Sequence, residues 1–456
     1  MRTQKEIIYA EGFEEEIRSL LKGGQTAALS ERLKNQHPAD IAQVMERLSA
    51  KERIQTFHLL APGAQAEVLS ELGTRVARQI LSSLSVGEIA QLLDQLPMDE
   101  AAQILSTFRR RRTVILQALN AEHAEDVRRL LTYSEHSAGR LMTEQFARVR
   151  PEWRANETLT HLRRMNADVE TLNNLYVLDD EERLVGVVSL REVVIAPPRK
   201  RLRELMNTRV ISVTPETDRE EVARLISHYD YLAMPVIGAD GRMLGIIPVD
   251  DVIDVLVAES GEDILKFGGL EGGVLDQPYF TIPLGTVVSR RVGWLLLLFV
   301  AETLTGTVLR FFESELAAVV ALSFFIPLLI GTGGNTGAQT VSTLIRGLAL
   351  GEIEVKDVWR VIRRELLSGL LIGTVLGIVA FGRALLWGSA VPLALTVGLA
   401  ILAICTWANT IGSLIPLIAQ RFKIDPATVS APLITTLVDA TGLAIYLMIA
   451  KVSLGL

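Results

Sequence analysis

A carboxylate stands alone in an apolar stretch near the end of the chain. Asp439 has no Lys or Arg between it and Lys451, and Pro432, Thr435 and Thr436 fall near the same face of the helix that this stretch predicts. A charged side chain inside a bilayer is costly, and such residues usually face a cavity or an ion path. The pattern predicts a cation site at Asp439. The alternative is a carboxyl group that is protonated or paired with another helix.

Other polar and small residues in the apolar part mark the same route. Asn335 lies in the segment 327–339, whose proline and four glycines predict a broken helix. Irregular backbone at membrane depth is tolerated only where it lines a cavity or is covered by protein. Asn409 interrupts a later apolar run, and Glu302 lies midway in the first one. For Glu302, a buried or protonated carboxyl group or a helix contact explains the residue at least as well as a pore role.

A second group of acids precedes the apolar part. Between residues 240 and 276 there are nine acids and two bases. Five of these acids lie on one predicted helix, each three to five residues from another of the group: Asp251, Asp254, Glu259, Glu262 and Asp263. Like charges on one helix face repel, and hard divalent cations such as Mg²⁺ bind carboxylate oxygens, often through water. Because this helix leads straight into the apolar part, we favour a regulatory cation site over a merely soluble acidic helix.

The composition shows which elements must carry these residues. Mean hydropathy is +0.31 although 22% of the 456 residues are charged. One chain combines both values only when its charged and its apolar residues lie in different segments. The first ~280 residues carry most of the charge and the last ~175 carry the apolar runs. Length allows about three domains. The single cysteine, Cys405, lies in an apolar run, so no disulfide can form within the chain.

Five apolar runs are long enough to cross a ~30 Å hydrocarbon core. They are residues 292–312, 316–338, 366–387, 392–418 and 430–450. Basic residues precede the first run and lie between the second and third and between the fourth and fifth, whereas the connections 313–315 and 388–391 contain none. Because Lys and Arg accumulate on the cytoplasmic side, we expect a multi-pass protein of the cell membrane with its N-terminus inside and its C-terminus outside. The first residues also lack the apolar core of a signal peptide.

The first 135 residues show a helical repeat. Apolar residues fall at steps of 12: Leu48, Leu60, Leu72, Leu84, Leu96 and Phe108. Pro38, Pro62 and Pro97 mark the starts of units, where proline suits a first helical turn. Each unit is too short to bury its own apolar face, so we expect stacked units that share a core, as in solenoids. Such a module docks or regulates. The basic run 109–112 fits a solvated helix end better than a partner site.

An internal duplication follows at about residues 137–260. Residues 141–143 match 205–207, and residues 186–193 match 245–252. Each half reads as an extended segment, a helix, a strand, a turn, a strand and a helix. The duplication resembles a pair of CBS domains, which usually sense ligands.

The resemblance to CBS domains points to one nucleotide site at most. In CBS pairs that bind adenosine nucleotides, a Ser or Thr at a strand end and a nearby Asp hold the ribose and phosphate. Ser189 stands at that place here, and Arg191 follows it. The second half has Pro248 instead, which supplies no hydroxyl group. Short motifs mislead easily, so two alternatives stay open: ATP binds at Ser189 and Arg191, or the pair binds no nucleotide.

The order of segments, taken whole, resembles the MgtE family of magnesium channels and transporters over essentially the whole chain. The specific motifs are residues 331–337, Asn409 and residues 425–442. The resemblance implies a homodimer with its pore on the two-fold axis, and a plug helix after the second CBS domain that controls the gate. The implied ion pathway comprises Asp439, Asn335, Asn409, Thr435 and Gly442.

The resemblance also implies acids that sense Mg²⁺ inside the cell and close the pore by negative feedback. These positions are Glu67, Asp99, Asp218, Glu220, Asp230, Asp251, Asp254, Glu259, Glu262 and Asp263. Three positions depart from the family pattern. Gln103 replaces an acid at a sensing position, and Ala338 and Ala431 stand where similar proteins can carry Asn. These departures concern the details of the sites and leave the cation assignment in place.

The predicted fold class is a multidomain membrane protein with an all-α superhelical solenoid, an α/β CBS pair and a five-helix transmembrane domain. The predicted domains are a solenoid at 1–135, CBS domains at 136–200 and 201–257, an acidic plug helix and linker at 258–285, and a pore domain at 286–456.

Several other functions fit the sequence less well. The sequence lacks the nucleophile–base set that would indicate an enzyme. It also lacks the Gly-Lys-Ser/Thr loop of an ATPase and a basic tract suited to nucleic acid. The expected partners are a second copy of the chain and membrane lipid. Co²⁺ or Mn²⁺ is the rival cargo, but no Cys or His is placed in the pore to prefer a transition metal. A receptor or scaffold that moves no ion is the second rival, and Asp439 argues against it.

Overall fold

The computed structural model describes residues 4–165, 169–270 and 282–456. The chain forms two compact units, and in the described residues the boundary between them falls between Glu259 and Ser260. A helical region, a duplicated region with strands and a set of long apolar helices follow one another along the chain. This order confirms the predicted fold class.

Short helices build the first part of the first unit. They are α1 (Gln4–Lys22), α2 (Thr26–Lys34), α3 (Pro38–Arg47), α4 (Ala50–His58), α5 (Pro62–Ser70), α6 (Thr74–Leu81), α7 (Val86–Leu93), α8 (Met98–Ser106), α9 (Arg112–Ala118), α10 (Ala121–Leu130) and α11 (Ala138–Leu141). From α3 to α8 a helix begins every 12 residues. The sequence period is therefore the period of the helices.

Buried linkers and end caps account for this period. The apolar residues that recur every 12 positions lie just after the helix ends, and all six are buried. Ser49 and Ser85 each cap a helix in a reciprocal pair of hydrogen bonds with the Glu three residues later. Pro38 and Pro62 open α3 and α5 as predicted, but Pro97 precedes α8 as its cap residue. The prediction for Pro97 was wrong by one position.

The duplicated region forms two small sheets with flanking helices. Its elements are β1 (Phe146–Val149), α12 (Ala155–Leu162), β2 (Thr171–Leu178), β3 (Leu184–Ser189), α13 (Leu190–Ile195), α14 (Arg219–Tyr229), β4 (Ala233–Ile237), β5 (Met243–Pro248) and α15 (Val249–Phe267). β1 pairs parallel with β2, and β2 pairs antiparallel with β3. β4 and β5 form the second antiparallel hairpin. A short 3₁₀ turn, Leu202–Glu204, lies between the halves.

The two halves exchange their first segments. Thr143 exchanges backbone hydrogen bonds with Ile246 of β5, at 2.8 and 2.9 Å, and Asn207 does the same with Val187 of β3, at 2.8 and 3.0 Å. Gly245 permits the first contact, because a Cβ atom there would lie 2.6 Å from Thr143 O. Gly186 stands at the matching place in β3. The repeated glycines of the sequence are thus the points where one half crosses the other.

The apolar core of the first unit runs from the solenoid into the second half of the duplication. Buried residues of the helical repeat pack in one cluster with Val222 and Ile226 of α14 and with Val236 and Ile247 of the second hairpin. The first half has a separate core around Val177. The solenoid and the second half therefore fold against each other.

The second unit contains five apolar helices long enough to cross a membrane, counted in the described residues. Its helices are α16 (Leu284–Phe311), α17 (Glu313–Ala318), α18 (Ile326–Ala349), α19 (Val358–Leu386), α20 (Val391–Arg421) and α21 (Ala431–Leu454). Short 3₁₀ turns at Val320–Phe325, Val355–Asp357 and Pro426–Thr428 precede α18, α19 and α21. The number of spans agrees with the prediction, and α16 and α19 each begin eight residues before the predicted run, since polar first turns extend an apolar helix.

The second span differs from its prediction. The sequence predicted a span at 316–338 that breaks at its glycines, whereas α18 is one continuous helix that begins at Ile326. Pro327 falls in the first turn of α18, where its missing N–H group leaves no hydrogen bond unmade. The glycines serve close helix packing: a Cβ atom on Gly333 would lie 2.6 Å from Ile404 Cγ2 and 2.9 Å from Val438 Cγ1.

Candidate ion pathway and metal sites

Asp439 lies in the middle of α21, whose first turn is held by local hydrogen bonds. The Ser430 hydroxyl caps the helix and accepts a hydrogen bond from Leu433 N at 3.3 Å. The Thr435 hydroxyl donates to the Pro432 carbonyl at 2.9 Å. Because this hydroxyl proton stays within the helix, Thr435 offers an oxygen acceptor to its surroundings, as a cation site requires.

The Asp439 carboxylate lies against the glycine segment of α18. A Cβ atom placed on Gly334 would lie 3.5 Å from Asp439 Oδ1 and 3.2 Å from Thr435 Cγ2. Asp439 and Thr435 are half-buried, and Asn335, the next residue of α18, is exposed. The contact between α18 and α21 thus brings Asp439 and Thr435 together, and Asn335 follows Gly334 along α18. All three side chains carry oxygen, the ligand atom that Mg²⁺ prefers.

Glu302 adds a second carboxylate near this contact. It is exposed on α16, which packs against α21. Its charge lies close enough to Asp439 for the two carboxylates to repel each other. An opposite charge between them would relieve this repulsion. The sequence left the role of Glu302 open, and the structure places it beside Asp439.

Asn409 and Gly442 lie inside the helix packing instead. Asn409 is 1% exposed. Its side-chain oxygen accepts from the Thr340 hydroxyl at 3.0 Å, and its amide nitrogen donates to two oxygens of Glu365 at 3.3 Å. Gly442 is buried against Ile404. The structure therefore does not bring these two predicted pathway residues to the Asp439 carboxylate; they hold the helices that carry it.

A group of carboxylates converges within the first unit. We call it the acidic cluster, and its members come from α8, from the segment before β2 and from the start of α15: Asp99, Glu100, Glu170, Asp250, Asp251 and Asp254. Asp99, Asp251 and Asp254 were predicted as metal-sensing residues. Glu100, Glu170 and Asp250 were missed. Glu100 and Asp250 adjoin predicted acids along the chain, whereas Glu170 lies far from the others and only the fold reveals it.

Burial and mutual repulsion make this cluster unfavourable when it is charged. Burial raises the pKa of Asp251 to about 8, with the nearby charge of Asp99 as the second cause. Burial likewise raises the pKa of Asp99 to about 7, with Glu100 as the next cause. Within the described part of the chain, Asp99 Oδ1 is buried without a hydrogen-bond partner. A cation would supply the missing partner, because a buried charge is stable only when it is paired.

The cluster does not form a closed metal cage in this conformation. Among residues 4–165, 169–270 and 282–456, no three His, Cys, Asp or Glu side chains are arranged to hold one ion directly. Mg²⁺ commonly keeps several of its own waters and takes few protein ligands. The arrangement is therefore compatible with a hydrated cation, held through water between the carboxylates.

The other predicted sensing acids lie outside this cluster. Glu67 is exposed on α5. Asp218 caps α14 and accepts from Glu220 N at 2.8 Å, and Asp230 ends the same helix in a left-handed conformation. Asp263 lies on α15, beyond the boundary of the first unit. The structure thus gives Asp218 and Asp230 local roles at the ends of one helix.

Two acids of α15 have basic partners. Glu259 pairs with Arg219, whose Nε donates to Glu259 Oε1 at 2.7 Å, and both side chains are largely buried. Glu262 lies 3.0 Å from Lys266 Nζ, which also contacts Asp425 Oδ2 at 2.7 Å, just before α21. Repulsion among the five acids of α15 was predicted, but these two are neutralised. The partners were missed because they lie on other elements or one turn away.

The proposed nucleotide residues lie at the end of β3. The Ser189 hydroxyl accepts a hydrogen bond from Glu192 N at 3.2 Å and donates one to Glu192 Oε2 at 2.8 Å. These two hydrogen bonds cap the start of α13. Arg191 is exposed. The hydroxyl group predicted to hold a ribose or phosphate is therefore engaged in a helix cap in this structure.

Comparisons with known proteins cover all three regions. Residues 326–449 match the family model described as a divalent cation transporter, MgtE. Residues 36–136 match the MgtE intracellular N domain, and residues 138–198 and 202–258 match CBS domains.

Two relatives match most of the chain, one of them over nearly its whole length. The magnesium transporter MgtE of Thermus thermophilus is 40% identical over 442 residues, which cover 96% of this chain and 98% of that protein. The magnesium transporter MgtE of Bacillus subtilis is 36% identical over 335 residues, 74% of this chain and 73% of that protein. A crystal structure of the cytosolic domain of the Mg²⁺ channel MgtE in complex with ATP is 36% identical, covers 53% of this chain and 99% of its own, and has a TM-score of 0.50. By full-length similarity and by its three matched regions, the chain belongs to the MgtE family.

Proposed function

We propose that this protein is a Mg²⁺ channel or transporter of the cell membrane, and that Mg²⁺ passes the carboxylate of Asp439. The proposal rests on one observation: a half-buried carboxylate on an apolar helix faces the glycine segment of α18, beside Thr435 and Glu302. Relatives of similar length carry the name magnesium transporter. An ionisable group at membrane depth that faces polar atoms is typical of an ion path.

The chemistry of Mg²⁺ favours a wide site shared by two copies. Mg²⁺ loses water reluctantly, so a single carboxylate on each of two subunits can hold the hydrated ion without stripping it. We propose a homodimer with Asp439 of both copies near its two-fold axis, and with Asn335 and Thr435 as further oxygen ligands of the ion's water. In this proposal Asn409 and Gly442 support the pathway through packing.

We also propose that the N-terminus and both regulatory regions lie in the cytoplasm and the C-terminus outside. Basic residues gather at the ends of the helices on one side: Arg290, Arg291, Arg346, Lys356, Arg360, Arg363, Arg364, Arg421 and Lys423. The other ends carry Arg310, Arg383 and Lys451. The excess on the first side favours the cytoplasm for it. The domain boundaries predicted from the sequence, at 1–135, 136–200, 201–257, 258–285 and 286–456, are part of the same proposal.

Internal Mg²⁺ is proposed to close the pathway through the acidic cluster. The unliganded cluster holds repelling carboxylates from α8 and α15, so a cation that binds between them favours the conformation in which these helices stay together. α15 continues into the second unit, where Lys266 contacts Asp425, which caps the 3₁₀ turn before α21. We further propose that ATP tunes closure through Ser189 and Arg191, supported by the solved MgtE cytosolic domain with ATP.

The first test is Mg²⁺ flux into proteoliposomes at low internal Mg²⁺. We expect Asp439→Asn to lower flux by about tenfold or more, because loss of one close charge–charge contact exceeds about 1.4 kcal/mol in a low-dielectric site. Asp180→Asn makes the same chemical change in an exposed turn and serves as the matched control. Gel filtration checks that the variants keep their fold and assembly.

The outcomes separate the alternatives. Equal flux in wild type and Asp439→Asn would assign a structural role to Asp439 and move the pathway to Glu302 or Asn335. Absence of flux in every variant would favour a receptor or scaffold. Faster Co²⁺ or Mn²⁺ flux than Mg²⁺ flux would contradict Mg²⁺ as the cargo.

A further inference from the structure

A basic groove lies on the solenoid, apart from the acidic cluster and from Ser189. It is a cavity of about 700 Å³ between α6 and the segment that joins α8 to α9. Its charged lining consists of Arg78, Arg109, Arg110 and Arg111, with Glu135 as the acid. We call this surface the arginine groove. The sequence suggested that the run 109–112 was a solvated helix end, but its first three arginines line a cavity together with Arg78 of α6.

The fold presents these arginines in a fixed turn. Phe108 is 6% exposed and anchors the segment in the core. Its carbonyl accepts backbone hydrogen bonds from Arg111 N at 3.1 Å and Arg112 N at 2.8 Å. The Arg112 side chain turns back and donates to Ser106 O at 3.0 Å. Arg112 therefore completes the turn, while the three arginines before it line the groove.

The positive charge of the groove is not neutralised by the protein. In the described part of the chain, none of its four guanidinium groups forms a salt bridge, and one carboxylate faces four cations. Clefts lined by one sign of charge concentrate the opposite charge. A multivalent anion would relieve the repulsion between the arginines.

We propose that the arginine groove binds a ligand with several phosphate groups. Guanidinium groups match phosphate oxygens with two parallel hydrogen bonds, and a cavity of this volume lies in the usual range for small-molecule sites. A polyphosphate concentrates its charges within a few atoms, as the groove does. The groove is distinct from the nucleotide position proposed at Ser189.

Charge, rather than base or sugar, controls the affinity of this site. The hydroxyl groups of Ser82, Ser106 and Thr107 donate to backbone carbonyls of their own helices, at 2.7, 2.6 and 2.7 Å. They therefore offer no free proton to a ligand. Recognition falls to the guanidinium groups, so affinity rises with phosphate number and falls with salt.

The test is calorimetric titration of the full-length protein in detergent with inorganic tripolyphosphate, which has no adenosine for the Ser189 position. We expect saturable binding that is at least about tenfold tighter than that of orthophosphate. Arg78→Gln and Arg110→Gln should each weaken it by about tenfold, the usual effect of losing a charged hydrogen bond. Arg128→Gln, which changes an exposed arginine of α10 outside the groove, should leave it unchanged.

Two further arms identify the source of the phosphates and can overturn the proposal. If ATP competes with tripolyphosphate for the groove, the ligand is a soluble phosphate compound. If the protein binds vesicles that contain phosphatidylinositol bisphosphate more tightly than it binds tripolyphosphate, and Arg110→Gln abolishes this binding, the ligand is a lipid headgroup. Absence of tripolyphosphate binding, equal binding by Arg78→Gln and Arg110→Gln, or equally tight binding of polyglutamate contradicts the proposal. The readout is binding, so a failure of Mg²⁺ flux would not affect it.

Discussion

At the scale of the residue, buried carboxylates dominate the regulatory region. Asp99 and Asp251 have pKa values raised by burial to about 7 and about 8. Their folded pKa exceeds the unfolded value near ~4, so the folded state binds more protons and the cation-free cluster loses stability as pH rises from about 4 to about 8. Under the proposed regulation, Mg²⁺ bound at the cluster would offset this loss, because it needs the same carboxylates in their charged form.

Closure by Mg²⁺ should therefore depend on pH. We expect the internal Mg²⁺ concentration for half-closure to fall by up to about tenfold when internal pH is raised from about 6 to about 8, since protons then no longer compete. In Asp251→Asn the dependence should flatten. The measurement is flux into proteoliposomes with fixed internal pH, with Asp180→Asn as the control. An unchanged pH dependence in Asp251→Asn would show that the cluster does not sense Mg²⁺.

At the scale of the element, small residues decide how the membrane helices pack. Gly369, Gly373 and Gly377 form a stripe with a four-residue period on α19, and each lies against the backbone of α20. Small residues at this spacing let two helix backbones approach closely in a membrane. Gly333, Gly334 and Gly337 of α18 likewise pack closely against side chains of α20 and α21.

Alanine at position 373 should separate these helices. Its Cβ atom would lie 2.8 Å from Leu402 Cα and from Leu402 O, so the backbone must shift. We expect Gly373→Ala to destabilise the purified protein by about 1–3 kcal/mol, as overpacking usually does, and to lower its Tm. Gly382→Ala lies on the same helix with nothing within 4 Å and is the matched control. Equal Tm values for the two variants would argue against this packing.

At the scale of the whole molecule, the solenoid shares its core with the second half of the duplication and contributes Asp99 and Glu100 to the acidic cluster. The membrane helices have separate cores of their own. The acidic cluster and Asp439 therefore lie in different parts of the chain, which have separate cores. α15 is the element that continues from one unit into the other.

Deletion of residues 1–135 should leave Mg²⁺ flux intact and raise the Mg²⁺ concentration needed for closure. The physical reason is that the deletion removes two carboxylates of the acidic cluster. Because it also exposes apolar residues such as Val222, the double variant Asp99→Asn with Glu100→Gln is the matched comparison. Flux with and without internal Mg²⁺ is the measurement. Unchanged inhibition in both proteins would remove the solenoid from the mechanism.

The sequence by itself determined the features that repeat locally or change composition. The 12-residue period, the duplicated halves, the five apolar runs and the isolated Asp439 could all be predicted, because each depends on neighbours along the chain. Asp439 and Asp251 were found in this way, whereas Asp99 was indicated only by the family resemblance. Their types and positions already indicated a cation.

Only the tertiary structure decided which distant residues meet. It made α18 continuous, joined Glu170 to the acidic cluster, paired Arg219 with Glu259 and withdrew Asn409 into the helix packing. It also turned a run of arginines into a groove lined from two helices. These outcomes depend on packing between residues far apart along the chain, for which local periodicity and composition carry no signal.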